Sequence, residues 1–205
     1  MNSNIKYRSI VGICVKRIMQ QWTFSFLKNR KTSTHTSEIS FDILDFELSA
    51  RINFNGKKYK SDGFSESGDD ILNGKIFIDF KINKEDLPKM WSEIYFDLID
   101  VMRHEIEHLL QSGYNKKKDK YFKDDSKERV KINKGLLPSY RYLLLPKEID
   151  ANLYGLKLKA QKKKQSFLEI INKHLDSCEI SEEEREKVLR EWRKRAIKLG
   201  GLPKF

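Results

Sequence analysis

His104, Glu105 and His108 stand in the stretch RHEIEHLLQ, two imidazoles four residues apart with a carboxylate directly after the first. On a helix, residues i and i+4 are neighbours on one face, so both rings can reach a single tetrahedral metal ion. Glu105, about 100° further round the helix, is suited to take a proton from a water molecule and not to ligate. Two protein donors are too few for a catalytic zinc, which takes three and keeps a fourth position for water. Candidates for the third are scarce. Histidine occurs four times in 205 residues, and His35 and His174 stand alone, with surface positions expected for both.

The stretch LLLPKEIDANLYGLKLK supplies a better candidate. Pro146 suits the first turn of a helix, where no N–H is needed. On that helix Glu148, Ala151, Asn152 and Gly155 share one face, and two of the four are small enough to admit a close neighbour. Glu148 is therefore the expected third ligand, with attraction to the helix dipole as the plainer explanation of a first-turn glutamate. Asn152, one turn on, is placed to hydrogen-bond a ligand histidine and fix its tautomer. Asp150 lies about 160° away from Asn152 and is a poor substitute.

The elements that must position these residues are legible nearby. From Pro88 to Gln111 the apolar positions Trp91, Tyr95, Leu98, Ile99, Met102, Ile106 and Leu109 recur at helical spacing. His104 and His108 lie on the opposite face, in line with Asp97, Asp100 and Gln111. Glu107 is expected to be a solvated neighbour. Before this helix, Leu44 to Phe54 alternate strictly between apolar and polar, the period of a half-buried strand. Asn55–Gly56 is the dipeptide of a tight hairpin, so KKYKS is expected to return antiparallel to that strand. SDGFSESGDD reads as a loop, and KIFIDFKI as a further strand whose edge a peptide could join. The sheet is expected to be antiparallel or mixed.

HEIEH followed by EIDAN resembles the gluzincin metallopeptidases, whose pattern is H-E-x-x-H with a glutamate on a downstream helix. HEIEHLLQ and LPKEIDA are similar to the two motif pieces of the minimal gluzincins, short phage and bacterial zincins among them. The likeness covers roughly residues 40 to 160. Asn152 departs from the aspartate common in larger relatives, and the basic stretch 114–134 has no counterpart that the likeness explains. The resemblance implies an α+β, zincin-like fold: a small sheet, an active-site helix, a ligand-bearing helix and C-terminal helices. It implies one Zn2+ per chain on His104, His108 and Glu148, with Glu105 as general base in the hydrolysis of a peptide or protein substrate. Tyr140, Tyr142 and Tyr154 are the candidate donors to an oxyanion.

The remaining chain bears on partners. Residues 1–37 contain no acid, while Lys6, Arg8, Lys16, Arg17, Lys28, Arg30 and Lys31 are cationic. Ile10, Val11, Cys14, Val15, Ile18, Met19 and Trp22 recur at helical spacing, which predicts a packed helix followed by a polar linker, KNRKTSTHTS. An amphipathic, acid-free start also suits a membrane-surface helix. The expected organisation is a basic N-terminal segment (1–37), a metallopeptidase domain (38–165) and a C-terminal helical extension (166–205). Within the extension, Ser181 and Glu184 form a capping box and Gly200–Gly201 end the last helix. No apolar run is long enough to cross a bilayer. Two cysteines, Cys14 and Cys178, are too few for a disulfide framework, so a cytoplasmic setting is expected. A net charge of +11 favours acidic partners. It supports an alternative function, a non-catalytic basic protein that binds nucleic acid or serves in assembly.

Overall fold

A computed structural model of the chain describes residues 3–41, 44–66, 74–113 and 125–198. The fold is mixed α+β and divides into two compact units, Met1–Tyr114 and Asn115–Phe205.

The first unit begins with α1, Ser3–Leu27. As its spacing predicts, α1 is a packed helix: Ile10, Val11, Cys14, Val15, Ile18 and Trp22 are all buried, and α1 lies against strand β1 and helix α2 (Leu87–Gly113). Lys28–Ser37 is not a linker. Its second half belongs to β1, Thr32–Phe41, where alternate threonines face solvent and Ser33 and Ile39 turn inward. β-branched threonine favours the extended backbone, and this outweighs the polar composition. Ser33 is accommodated by a 2.7 Å bond from the buried Ser25 hydroxyl of α1.

Strands β2 (Leu44–Asn53), β3 (Asn55–Glu66) and β4 (Gly74–Asn83) complete a four-stranded mixed sheet in the order β1-β2-β4-β3. β2 pairs antiparallel with β1 and parallel with β4. Leu44, Phe46, Leu48, Ala50, Ile52 and Phe54 are buried as their alternation predicts, matched by Ile76, Ile78, Phe80 and Ile82 of β4. The opposite face is charged and internally paired, with Arg51–Asp79 at 2.7 Å and Lys75–Glu47 at 3.4 Å.

Asn55–Gly56 does not make a hairpin. β3 does not pair with β2; it pairs antiparallel with β4, and β4 separates the two. The glycine is required for close approach and not for a turn. A Cβ on Gly56 would stand 2.5 Å from the Ile82 nitrogen. The pairing of β3 with β4 also shifts register between Asn55 and Lys60. The expected loop after Lys60 is strand as far as Glu66. The rest of that loop is outside the described residues, as are Gly200–Gly201, Leu199 and the first part of the basic stretch 114–134. β4 is an interior strand with both ladders taken, so it offers no edge to a peptide. The edges are β1 and β3.

The second unit is helical. α3, Asp125–Asn133, occupies part of the stretch expected as loop. A 3-10 segment, Ser139–Leu144, precedes α4, Pro146–Lys163, with the proline in its first turn. α5 (Phe167–Asp176) and α6 (Glu182–Lys198) pack on α4 around Leu153, Leu156, Phe167, Ile171, Val188 and Trp192. The Trp192 indole donates to the Leu143 carbonyl at 2.9 Å. The capping box forms: the Ser181 N–H donates to Glu184 at 2.8 Å, and the Glu184 N–H to the Ser181 hydroxyl at 3.4 Å. Cys14 and Cys178 are free thiols. Among the described residues no helix is long and apolar enough to cross a membrane.

Candidate functional site

α2 carries the histidines. Leu98, Ile99, Met102, Ile106 and Leu109 bury its apolar face, which fixes the rotation of the helix and leaves His104 and His108 partly exposed on the far side. Their Nε2 atoms face each other at 3.0 Å, with the rings nearly perpendicular. His108 Nδ1 lies 3.0 Å from Gln111 Oε1, an oxygen that can only accept. An Nδ1–H donated to that oxygen would leave the His108 Nε2 lone pair facing His104. Gln111 reaches His108 because it stands three residues on, on the same face of α2.

Glu105 is only 4 % exposed. It faces the sheet across Gly63 of β3: a Cβ there would stand 2.9 Å from Glu105 Oε1 and 2.5 Å from a methyl of Val101. β3 can run this close to α2 only without a side chain at 63. The signal available in the sequence was a glycine followed by Phe64, hidden by Ser61, Asp62 and Ser65 around it. Further along the histidine face, the Tyr59 hydroxyl donates to Asp97. Burial, then the Asp97 carboxylate, push that hydroxyl far above its ordinary pKa. Glu107 is not solvated: it accepts from Arg103 at 2.7 Å, both side chains mostly buried, and the Arg103 guanidinium also lies over the Tyr7 ring.

Glu148 lies in the first turn of α4, 2 % exposed. Ala151, Asn152 and Gly155, the small or polar positions on its face, are buried too. Its Oε1 accepts from Arg129 of α3 at 2.8 Å. Arg129 also donates to the Tyr142 hydroxyl at 2.6 Å and lies over that ring. Burial first, then Glu148, raise the Tyr142 hydroxyl well above its usual range, with Arg129 opposing; Tyr142 also hydrogen-bonds Glu148. Of the three tyrosines, Tyr142 therefore buttresses Glu148, Tyr140 packs on the helical core, and Tyr154 is half-buried on α4. The buried Asp125 shares this neighbourhood, its carboxyl pushed up by burial and drawn back by Arg129. Arg129 and Asp125 sit in the charge-dense stretch expected as loop, where nothing in the local pattern set them apart from their lysine-rich surroundings.

Asn152 donates its amide to the Glu148 main-chain carbonyl at 2.8 Å. Asp150 is committed elsewhere, in a two-bond ion pair with Arg195 of α6 at 2.6 Å for each bond. His35, half-buried on β1, contacts the Ser37 hydroxyl at 3.1 Å, and His174 lies beside Trp192. Neither belongs to the HEIEH face of α2. No family model matches the chain, and neither a curated protein nor a solved structure matches it.

Proposed function

We propose that the chain is a zinc-dependent metallopeptidase of zincin-like architecture, with His104, His108 and Glu148 as ligands and Glu105 as general base. The observation that carries the reading is the pair of Nε2 atoms 3.0 Å apart on α2, one of them oriented by Gln111. Two nitrogens on a tetrahedral zinc with bonds of 2.0–2.1 Å stand about 3.3 Å apart, so the imidazoles fit that ion with a shift of tenths of an ångström. Glu148 brings a carboxylate already held by Arg129 on one oxygen, the kind of support that metal-ligating carboxylates require.

When bound, the metal supplies Lewis acidity that brings the pKa of water toward neutrality. Glu105, buried against β3, takes the proton from the attacking water and returns it to the leaving amine. β3 is an edge strand and packs its Gly63 against Glu105, so this strand, and not β4, is where an extended peptide would add its backbone.

The test is zinc per chain by elemental analysis, beside His104→Ala and Glu148→Ala, followed by hydrolysis of a mixed peptide pool. One zinc in the wild type and its loss in both variants, with cleavage abolished by Glu105→Gln, is the expected result. Absence of zinc after reconstitution would sink the reading. The net charge of +11 would then favour the basic nucleic-acid-binding or assembly protein, recognised by salt-dependent retention on DNA.

A further inference from the structure

α1 is apolar on two faces, and the core accounts for only one of them. At about 100° per residue, Ile10, Val11, Cys14, Val15, Ile18, Trp22 and Ser25 form a buried face about 140° wide. Centred about 140° away, Ile13, Gln20, Phe24 and Leu27 fall within about 60° of arc and extend about 21 Å along the axis. Ile13 is 39 % exposed, Phe24 52 % and Leu27 74 %. Isolated exposed apolar residues need no explanation, but three in line along one helix face do. Lys16 borders this stripe on one side and Arg17 on the other, while Lys28, Arg30 and Lys31 follow at its C-terminal end, all exposed. The Lys28 ammonium lies 5.7 Å from the centre of the Phe24 ring. Among the described residues none of these five cations is in an ion pair, and no acid occurs before Glu38.

We propose that the outward face of α1 docks on an anionic membrane surface, with Phe24 and Leu27 entering the boundary between headgroups and acyl chains and the five cations binding lipid phosphates and carboxylates. The arrangement matches the chemistry of such a surface from centre to rim: apolar side chains in the middle, exposed lysine and arginine at the sides. A nucleic-acid backbone would engage the cations and leave Leu27 and Ile13 unused. Docking of this kind lays the helix flat and needs no spanning segment. It is independent of the zinc reading, because none of the residues involved belongs to α2 or α4.

The test is co-sedimentation of the full chain with vesicles of phosphatidylcholine alone, or with about 30 mol % phosphatidylserine, at about 0.1 M and about 0.5 M salt. Phe24→Ser/Leu27→Ser and Lys16→Glu/Arg17→Glu change only exposed positions, and circular dichroism verifies that both fold. Expected are binding at least ten-fold stronger to the serine-lipid vesicles, as five cations near the surface imply, and weakening at high salt. The apolar double variant should bind about ten-fold more weakly or worse, and the charge-reversal variant should lose the preference for anionic lipid. Equal binding by the apolar double variant and the wild type would overturn the proposal, as would absence of any gain from phosphatidylserine. Competition by duplex DNA that depends on Lys16 and Arg17 but not on Phe24 and Leu27 would replace the lipid with nucleic acid.

Discussion

Gly63 and Glu105 are fitted to each other: a Cβ on the glycine would reach within 2.9 Å of the carboxylate oxygen Oε1. Gly63→Ala must also clear the Val101 methyl at 2.5 Å, so it pushes α2 off the sheet or moves both the Val101 and Glu105 side chains. Overpacking of this sort typically costs about 1–3 kcal/mol, and a lowered urea midpoint with an unchanged m value is expected. Peptide hydrolysis should fall further than the loss of folded protein explains, while zinc content stays near that of the wild type.

Arg129 and Glu148 form the second test of the site. Removing the guanidinium by Arg129→Met leaves the buried Glu148 carboxylate without the charge partner that holds its Oε1. Loss of such support typically weakens a metal site about 10–100-fold, so competition with a chromophoric chelator should report a shift of that size. Arg129→Lys, a point charge in place of a fork, should recover only part of it. An unchanged affinity in Arg129→Met would reduce the arginine to a packing residue on Tyr142.

Asp150 and Arg195 tie α4 to α6 through two bonds of 2.6 Å, with the carboxylate almost fully buried. Arg195→Met strands that carboxylate, and truncating one partner of a buried pair costs about 3–5 kcal/mol. Arg195 is itself partly exposed, so the lower end of that range is expected. Chemical denaturation measures it. Asp150→Asn/Arg195→Met should recover part of the loss, because the stranded charge is gone.

His35 links stability to pH. Its pKa is lowered from 6.5, first by burial and second by the Arg17 guanidinium of α1. The unfolded chain therefore binds this proton more readily than the folded one. The contribution is present above pH 6.5 and is lost as pH falls through the unfolded value toward the lower folded one. Denaturation midpoints measured from about pH 8 down to about pH 5 should decline below 6.5, and His35→Asn should flatten that part of the profile.

The sequence by itself determined the strictly periodic elements. β2 and β4 follow from alternation, α1 and α2 from helical stripes, the start of α4 from Pro146, and the start of α6 from Ser181 and Glu184. The histidines were readable because the stripe running from Leu98 to Leu109 is broad enough to fix the rotation of α2, which puts His104 and His108 on the other side. Tertiary structure decided what depends on partners distant in the chain. Asn55–Gly56 has the composition of a hairpin, yet the glycine answers to the backbone of Ile82 in β4, a neighbour no local window contains. The insertion of β4 between β2 and β3 turned the expected peptide-binding strand into an interior one. Gly63 and Arg129 gained their importance the same way, from a strand that crosses Glu105 and from a helix that reaches Glu148. Local pattern records which face of an element is apolar. Which element covers that face, and which polar group it meets there, is settled only when the chain closes its long-range contacts.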